Sequence, residues 1–184
     1  VSRREEDEPA ERPLVVVAVG TDHHPFGRLV GWVDRWLARG GADRVECVVQ
    51  HGTAPAPRWG TPRAYLEHAE FTELVARAAV VVCHGGPATI AECRRIGRLP
   101  VVVPRRVEHG EHVDNHQVLF TARLADKKLV YLASSEDELA ALLDDGLADR
   151  ARFTVDHDAE QPVAAAVRRF EDLVAQLAPT PARS

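Results

Sequence analysis

The densest chemistry in this chain lies in Cys83-His84-Gly85-Gly86-Pro87-Ala88-Thr89-Ile90-Ala91-Glu92. Two glycines at the end of an apolar run let backbone approach a ligand closely. A helix starting at Ala88 aims unbonded N–H groups at that ligand. Those donors, with the positive end of the helix dipole, suit a diphosphate. Thr89 adds a hydroxyl donor, and Glu92, three residues on, shares its face and can accept both hydroxyls of a ribose. A plain helix-starting turn with Glu92 as a surface acid fits the same residues.

A second constellation runs Pro104, then Gly110-Glu111-His112-Val113-Asp114-Asn115-His116-Gln117. A helix predicted from His112 to Leu124 places His116 and Gln117 where directed hydrogen bonds can reach sugar hydroxyls. Asp114 or Asn115 also fits as a simple helix cap. His112 and His116 are four apart and His109 is close. No HExxH pattern or cysteine ligand accompanies them, so no metal site is expected. His23 and His24 follow Gly20-Thr21 and read as a polar loop lining, with either of them a candidate base; His24 and His84 are the candidate catalytic residues. His51 and His157 are expected to face solvent.

These residues need elements to hold them. Leu14 to Val19 is a continuous β-branched run of the kind buried on both faces of a sheet. Val45–Val49, Ala79–Cys83, Pro100–Pro104 and Leu129–Leu132 read as further strands. Helical spacing appears from Phe26 to Ala38, stopped by Gly40-Gly41, then from Glu70 to Ala78, Ala88 to Ile96 and Pro162 to Leu177. Ser134-Ser135-Glu136-Asp137-Glu138 caps a helix running to Leu143. Gly52 to Pro62 reads as a Pro/Gly-rich loop. Trp32 and Trp36, four apart, share a helix face towards core or partner, while Trp59 sits in that loop. Apolar strands alternating with amphipathic helices predict an α/β, Rossmann-like parallel sheet with helices on both faces. Ligands then bind beyond the carboxyl ends of the strands, which picks out Gly20-Thr21, Gln50-His51-Gly52, His84-Gly85-Gly86 and the stretch from Pro104 to His116.

Length and composition set the outer bounds. A chain of 184 residues supports one well-buried core and is short for two. A net charge of −5 argues against a nucleic-acid surface. The apolar runs fall far short of the roughly 20 residues a spanning helix needs. Residues 1–13 are charged and Pro-interrupted, so they read as a disordered lead without a signal peptide, before a domain over 14–178 and a tail over 179–184. Cys47, Cys83 and Cys93 make no CxxC pair and read as buried structural thiols. A cytoplasmic protein is expected.

The run from Val80 to Gln117 resembles the carboxyl-terminal domain of family 28 glycosyltransferases, of the GT-B fold with two facing Rossmann-like domains. Val17-Ala18-Val19-Gly20-Thr21 with Pro25-Phe26-Gly27-Arg28-Leu29 is similar to the opening of its one-domain members, which include subunits adding N-acetylglucosamine to dolichol-diphosphate and bacterial exopolysaccharide transferase subunits. The resemblance implies a UDP-sugar donor, no metal and no cofactor. It implies a diphosphate on Gly85, Gly86 and Thr89 with His84 beside it, faced by Gly20 and Thr21. Glu92 would hold the ribose; His116, Gln117 and Asp114 would meet the sugar; and Leu66 to Phe71 would lie near the base, where His68 departs from the family pattern. Pro87-Ala88 also departs from its commoner small-residue pair, although proline suits a first helical position. It further implies a separate, membrane-associated, acceptor-binding partner that brings the chain to the inner face of the membrane. An epimerase-like half and a non-catalytic nucleotide-sugar-binding module are the two rival readings.

Overall fold

The computed structural model describes residues 12–155; the helix expected over 162–177 and His157 lie outside them. Six parallel strands form one sheet: β1 Leu14–Ala18, β2 Glu46–Gln50, β3 Thr61–Arg63, β4 Val80–His84, β5 Val101–Val103 and β6 Tyr131–Leu132. Their order is β3-β2-β1-β4-β5-β6. The chain therefore winds outward from β1 on one side, returns to β4, and winds outward on the other. That reversal opens a crevice beyond the carboxyl ends of β1 and β4, the place where such sheets bind ligands.

β1 shows why the core divides in two. Val15, Val17 and Val19 point to one face and Leu14, Val16 and Ala18 to the other, all of them buried. The first face is covered by α1 Gly27–Trp36 and α6 Glu136–Ala148, through Leu29, Val33, Trp36, Leu139 and Leu143. The opposite face is covered by α3 His68–Arg77, α4 Pro87–Arg95 and α5 His116–Asp126, through Val75, Cys93, Ile90, Phe120 and Leu124. Each fully buried valine or leucine contributes about 1.5–3 kcal/mol, so this two-sided packing outweighs any local preference. All three cysteines are free and buried in these layers, as expected.

Several boundaries differ from the sequence reading. α1 ends in a widened turn, Leu37–Gly41, where Gly40 takes φ 104°, and a short helical turn α2, Ala42–Arg44, leads to β2. The expected loop through Pro62 contains β3, with Thr61 opposite Val48 and Pro62 opposite Val49. α5 begins at His116 rather than His112, because residues 111–115 are a series of bends. α6 runs on to Ala148, past Leu143. Trp36 is core, Trp32 packs at the core's margin and Trp59 is exposed. Among the described residues, no helix is long and apolar enough to cross a membrane.

Candidate functional site

At the switch point His84 ends β4 with its imidazole wedged between two turns. A Cβ on Gly20 would stand 2.5 Å from the ring's Cε1, and a Cβ on Gly86 would stand 2.9 Å from that carbon and overlap Nε2. Both glycines are thus required by the ring they flank. Gly85 serves α5 instead, since a Cβ there would lie 2.9 Å from the Cβ of Gln117. The His84 Nδ1 is buried with no hydrogen-bond partner among the described residues. Burial, and after it the Arg105 charge, push this histidine down to about 4, against the opposing pull of the Ala18 carbonyl and Asp22. It is a neutral ring at pH 7, placed as the floor of both turns rather than at the surface.

Above that floor α4 begins. Gly86 is its N-cap, with φ −75° and ψ 127°, and no side chain caps the first turn. Pro87 occupies the first helical position, where its missing N–H costs nothing. The amides of Ala88 and Thr89 therefore belong to the set of helix-start donors that need an outside acceptor. Facing them, Gly20 takes φ 84° at the end of β1. Gln50 holds it there from both sides: its Oε1 accepts from the Gly20 N–H at 3.0 Å and its Nε2 donates to the Gly20 carbonyl at 3.0 Å. The Gly20 amide is consequently engaged, and Thr21 is the exposed group of that turn.

Glu92 sits one turn into α4, beside Thr89. Its carboxylate accepts from Arg95 at 2.6 and 3.0 Å and from the Thr72 hydroxyl at 3.5 Å, with His68 Nε2 at 3.7 Å. The Arg95 bonds hold its pKa below the ordinary value against some burial. Arg95 is exposed, so this pairing is weak and can yield to another donor. His68 thus lies next to Glu92, on α3 across from α4.

The loops after β1 and β5 are joined by buried charges that the sequence reading did not single out. Arg105 is fully buried and donates to the carbonyls of Val19 at 2.8 Å, His24 at 2.7 Å and Glu111 at 2.9 Å, over the face of Phe26. Arg28 meets Glu111 through two bonds of 2.9 and 2.8 Å and also reaches the Pro104 carbonyl at 2.8 Å. Glu111 accepts in addition from the Arg106 amide at 2.9 Å. Gln117 is likewise buried, its Oε1 accepting from the Arg105 amide at 3.2 Å, so its side-chain oxygen serves the β5 turn. The pair Arg105-Arg106 directly after Pro104 was the only hint in the sequence.

A polar ledge lies on this frame. Asp22 accepts from the His24 amide at 2.8 Å and lies 2.7 Å from His24 Nδ1. Although burial works against it, these two bonds and the Arg105 charge hold Asp22 down to about 2. Asp114 accepts from the His116 amide at 2.9 Å and also contacts His116 Nδ1; both residues are exposed. His51, expected in solvent, is half-buried and pairs its Nδ1 with the Ala54 carbonyl at 2.8 Å. The sequence-predicted residues Gly20, Thr21, His24, His84, Gly85, Gly86, Thr89, Glu92, Asp114, His116 and Gln117 are thus carried by neighbouring strand ends of one sheet. A cavity of about 280 Å³ at the other end, lined by Arg12, Arg77, Arg98 and Arg150, shares none of them.

An all-parallel sheet of this order, with a glycine turn feeding a helix at its reversal, defines a Rossmann-like domain of the kind that binds nucleotides. Residues 14–177 match the family described as "Glycosyltransferase family 28 C-terminal domain". The chain belongs to glycosyltransferase family 28. Two relatives, the UDP-N-acetylglucosamine--N-acetylmuramyl-(pentapeptide) pyrophosphoryl-undecaprenol N-acetylglucosamine transferases of Paraburkholderia xenovorans and Paraburkholderia phytofirmans, are each 27% identical over 82% of this chain. The chain spans 40% of their length. Similar folds include a kitacinnamycin glycotransferase, with TM-score 0.61 and 18% identity over 97% of this chain and 48% of that one. MurG of Acinetobacter baumannii has TM-score 0.55 and 19% identity over 91% of this chain and 51% of its own. ALG13 has TM-score 0.51 and 16% identity, covering 87% of this chain and 94% of its own.

Proposed function

We propose that this domain binds a UDP-sugar and transfers its sugar to a lipid-linked or polysaccharide acceptor that a separate, membrane-associated subunit presents. The observation that carries the reading is the uncapped start of α4 at the switch point, with Gly20 and Gly86 parted by one neutral imidazole. In this reading the first-turn amides and Thr89 hold the diphosphate, Glu92 the ribose, and Asp114 and His116 the sugar. Gln117 and His84 are positioning residues. The first shapes the β5 turn and the second sets the spacing of the two glycine turns.

The reaction needs a leaving group and a base. As the acceptor oxygen bonds to the anomeric carbon, the bond from that carbon to the diphosphate breaks and its electron pair goes to the phosphate oxygen. Charge grows there, so donors at the helix start stabilise the transition state more than the ground state. This needs no ion at the diphosphate itself. His24 takes the acceptor's proton, with Asp22 holding its ring and balancing the charge that forms. Its pairing with an ionised carboxylate at 2.7 Å favours this role. The relatives' UDP-N-acetylglucosamine chemistry and the ALG13 fold, nearly all of which this chain covers, support the donor and the two-piece arrangement.

The deciding experiment is a thermal-shift screen of UDP-sugars with chelator present, since a ligand that binds only the folded form raises its melting point. A UDP-sugar response that Thr89→Ala and Glu92→Ala each weaken, by about tenfold in affinity, is expected. No response to any uridine nucleotide overturns the reading. Release of free UDP without sugar transfer favours the epimerase-like alternative. Unaltered donor in the presence of partner and acceptor favours a binding module.

A further inference from the structure

At the amino ends of the strands, away from the glycine turns, arginines from distant parts of the chain share the cavity of about 280 Å³. Arg12 stands just before β1, Arg98 lies in the turn after α4, and Arg150 opens the short helical turn Arg150–Phe153 that follows α6. Leu14 and Glu46, the paired first residues of β1 and β2, line the same space. The Glu46 amide donates to the Pro13 carbonyl at 3.1 Å, which fixes the two strand starts side by side. Arg77, at the end of α3, also borders the cavity and has Glu73 at 3.9 Å.

Arg12, Arg98 and Arg150 are held by backbone. Arg98 donates from Nε to the Val75 carbonyl at 3.3 Å and from Nη2 to the Ala76 carbonyl, in the last turn of α3. Arg150 Nη2 donates to the Arg77 carbonyl at 3.3 Å, and Arg12 Nη1 to the Ala42 carbonyl at 3.0 Å. Among the described residues, none of the three is bonded to a carboxylate. A guanidinium carries five N–H donors and keeps its charge, so each of them has donors left over. Burial, and after it the Arg150 charge, push Arg98 below its ordinary pKa, so two like charges lie within reach of each other. That repulsion weighs on the fold until an anion enters. Capping α3 accounts for Arg98 and Arg150. It does not account for Arg12, whose carbonyl partner is in α2.

We propose that Arg12, Arg98 and Arg150 bind a phosphomonoester group in this cavity, carried by a free phosphate ester or by a phospholipid head. A carboxylate offers two oxygens in one plane, whereas a phosphoryl group offers three around a centre, one for each planar fork. The carbonyl bonds already hold those forks, so little side-chain order remains to be gained on binding. The volume is at the lower end for small-molecule sites, which suits a single phosphoryl head. The site shares no residue with the α4 turn and does not rest on the donor reading.

The test titrates the full chain with glycerol 3-phosphate, with potassium chloride at matched ionic strength as the control. Saturable binding and a raised melting point are expected. Arg98→Gln and the double variant Arg12→Gln/Arg150→Gln, at two exposed positions, should each weaken binding at least about tenfold. Glu46→Gln, which removes a carboxylate from the lining, should strengthen it about threefold. Thr89→Ala should leave it unchanged. Sedimentation with phosphatidic acid vesicles, against phosphatidylcholine, is run at about 0.15 M salt to screen general attraction. Vesicle binding that Arg12→Gln/Arg150→Gln abolishes assigns a phospholipid head; binding of glycerol 3-phosphate alone assigns a free ester. Absence of saturable binding to either probe overturns the proposal. So does binding that the arginine variants retain or that Thr89→Ala removes. Binding that appears only in Glu5→Gln/Glu6→Gln/Asp7→Asn/Glu8→Gln also overturns it, giving the cavity to the chain's own acidic run. Cooperative melting of each variant verifies its fold, and a failure of UDP-sugar binding leaves these results standing.

Discussion

Gly86 has an ordinary backbone conformation, so alanine is excluded there by the His84 ring alone. Gly86→Ala should cost about 1–3 kcal/mol by overpacking and abolish the UDP-sugar response. Adding His84→Ser should recover much of the stability, a coupling that a denaturation double-mutant cycle measures directly. Gly27→Ala, where a Cβ meets nothing within 4 Å, should change stability by less than about 0.5 kcal/mol. The same ring sets a pH dependence. The unfolded chain takes a proton near 6.5 and the folded one only near 4. Between those values the unfolded state binds more protons, so stability declines as pH falls from 6.5 to 4, by at most about 3 kcal/mol. His84→Asn should flatten that decline in denaturant titrations at fixed pH. A pyrophosphate over the turn would draw the imidazole's pKa back up, so UDP-sugar affinity should climb as pH falls toward 4.

At the scale of elements, the loops after β1 and β5 depend on Arg28 and Glu111, whose side chains are 14% and 3% exposed. Glu111→Ala leaves a guanidinium nearly buried without its partner and should cost about 3–5 kcal/mol, read from the denaturation midpoint. Ser135 provides a milder contrast. Its hydroxyl accepts from the Glu138 amide at 3.2 Å while the Glu138 carboxylate accepts from the Ser134 amide at 2.7 Å, capping α6 after β6, two strands away from β4. Ser135→Ala should lower stability by about 1 kcal/mol and leave nucleotide binding unchanged. That cap was legible in the sequence, as were β1 and β4, because serine–glutamate spacing and unbroken valine runs are local signals. The start of α5 was not. Glu111 to Asn115 has the composition of a helix start, but the Glu111 carboxylate is drawn to Arg28, eighty-three residues away, and the chain bends to follow. β3 was hidden for another reason: Thr61-Pro62-Arg63 is polar, and becomes a strand only because β2 lies beside it. Arg105 follows β5 by two residues, and nothing local reveals that two carbonyls from the loop after β1 and one from its own loop converge on it.

For the whole molecule, the two-piece reading has a direct expectation. Alone, the chain should bind UDP-sugar yet turn over little, and adding an acceptor-binding companion should restore transfer, followed as UDP release. Robust glycosylation of a lipid acceptor by the isolated chain would remove the need for that companion. The sheet's margins bear on how the two would meet. β6 has two residues, and β3 has three, one of them Pro62 without an amide hydrogen. Neither flank can template a visiting strand, since a docking backbone needs a longer run of open donors and acceptors. A companion would therefore have to grip this domain by its helices and loops, through side chains. An association of that kind can be dissected one substitution at a time, and the sheet would be left intact by every one of them.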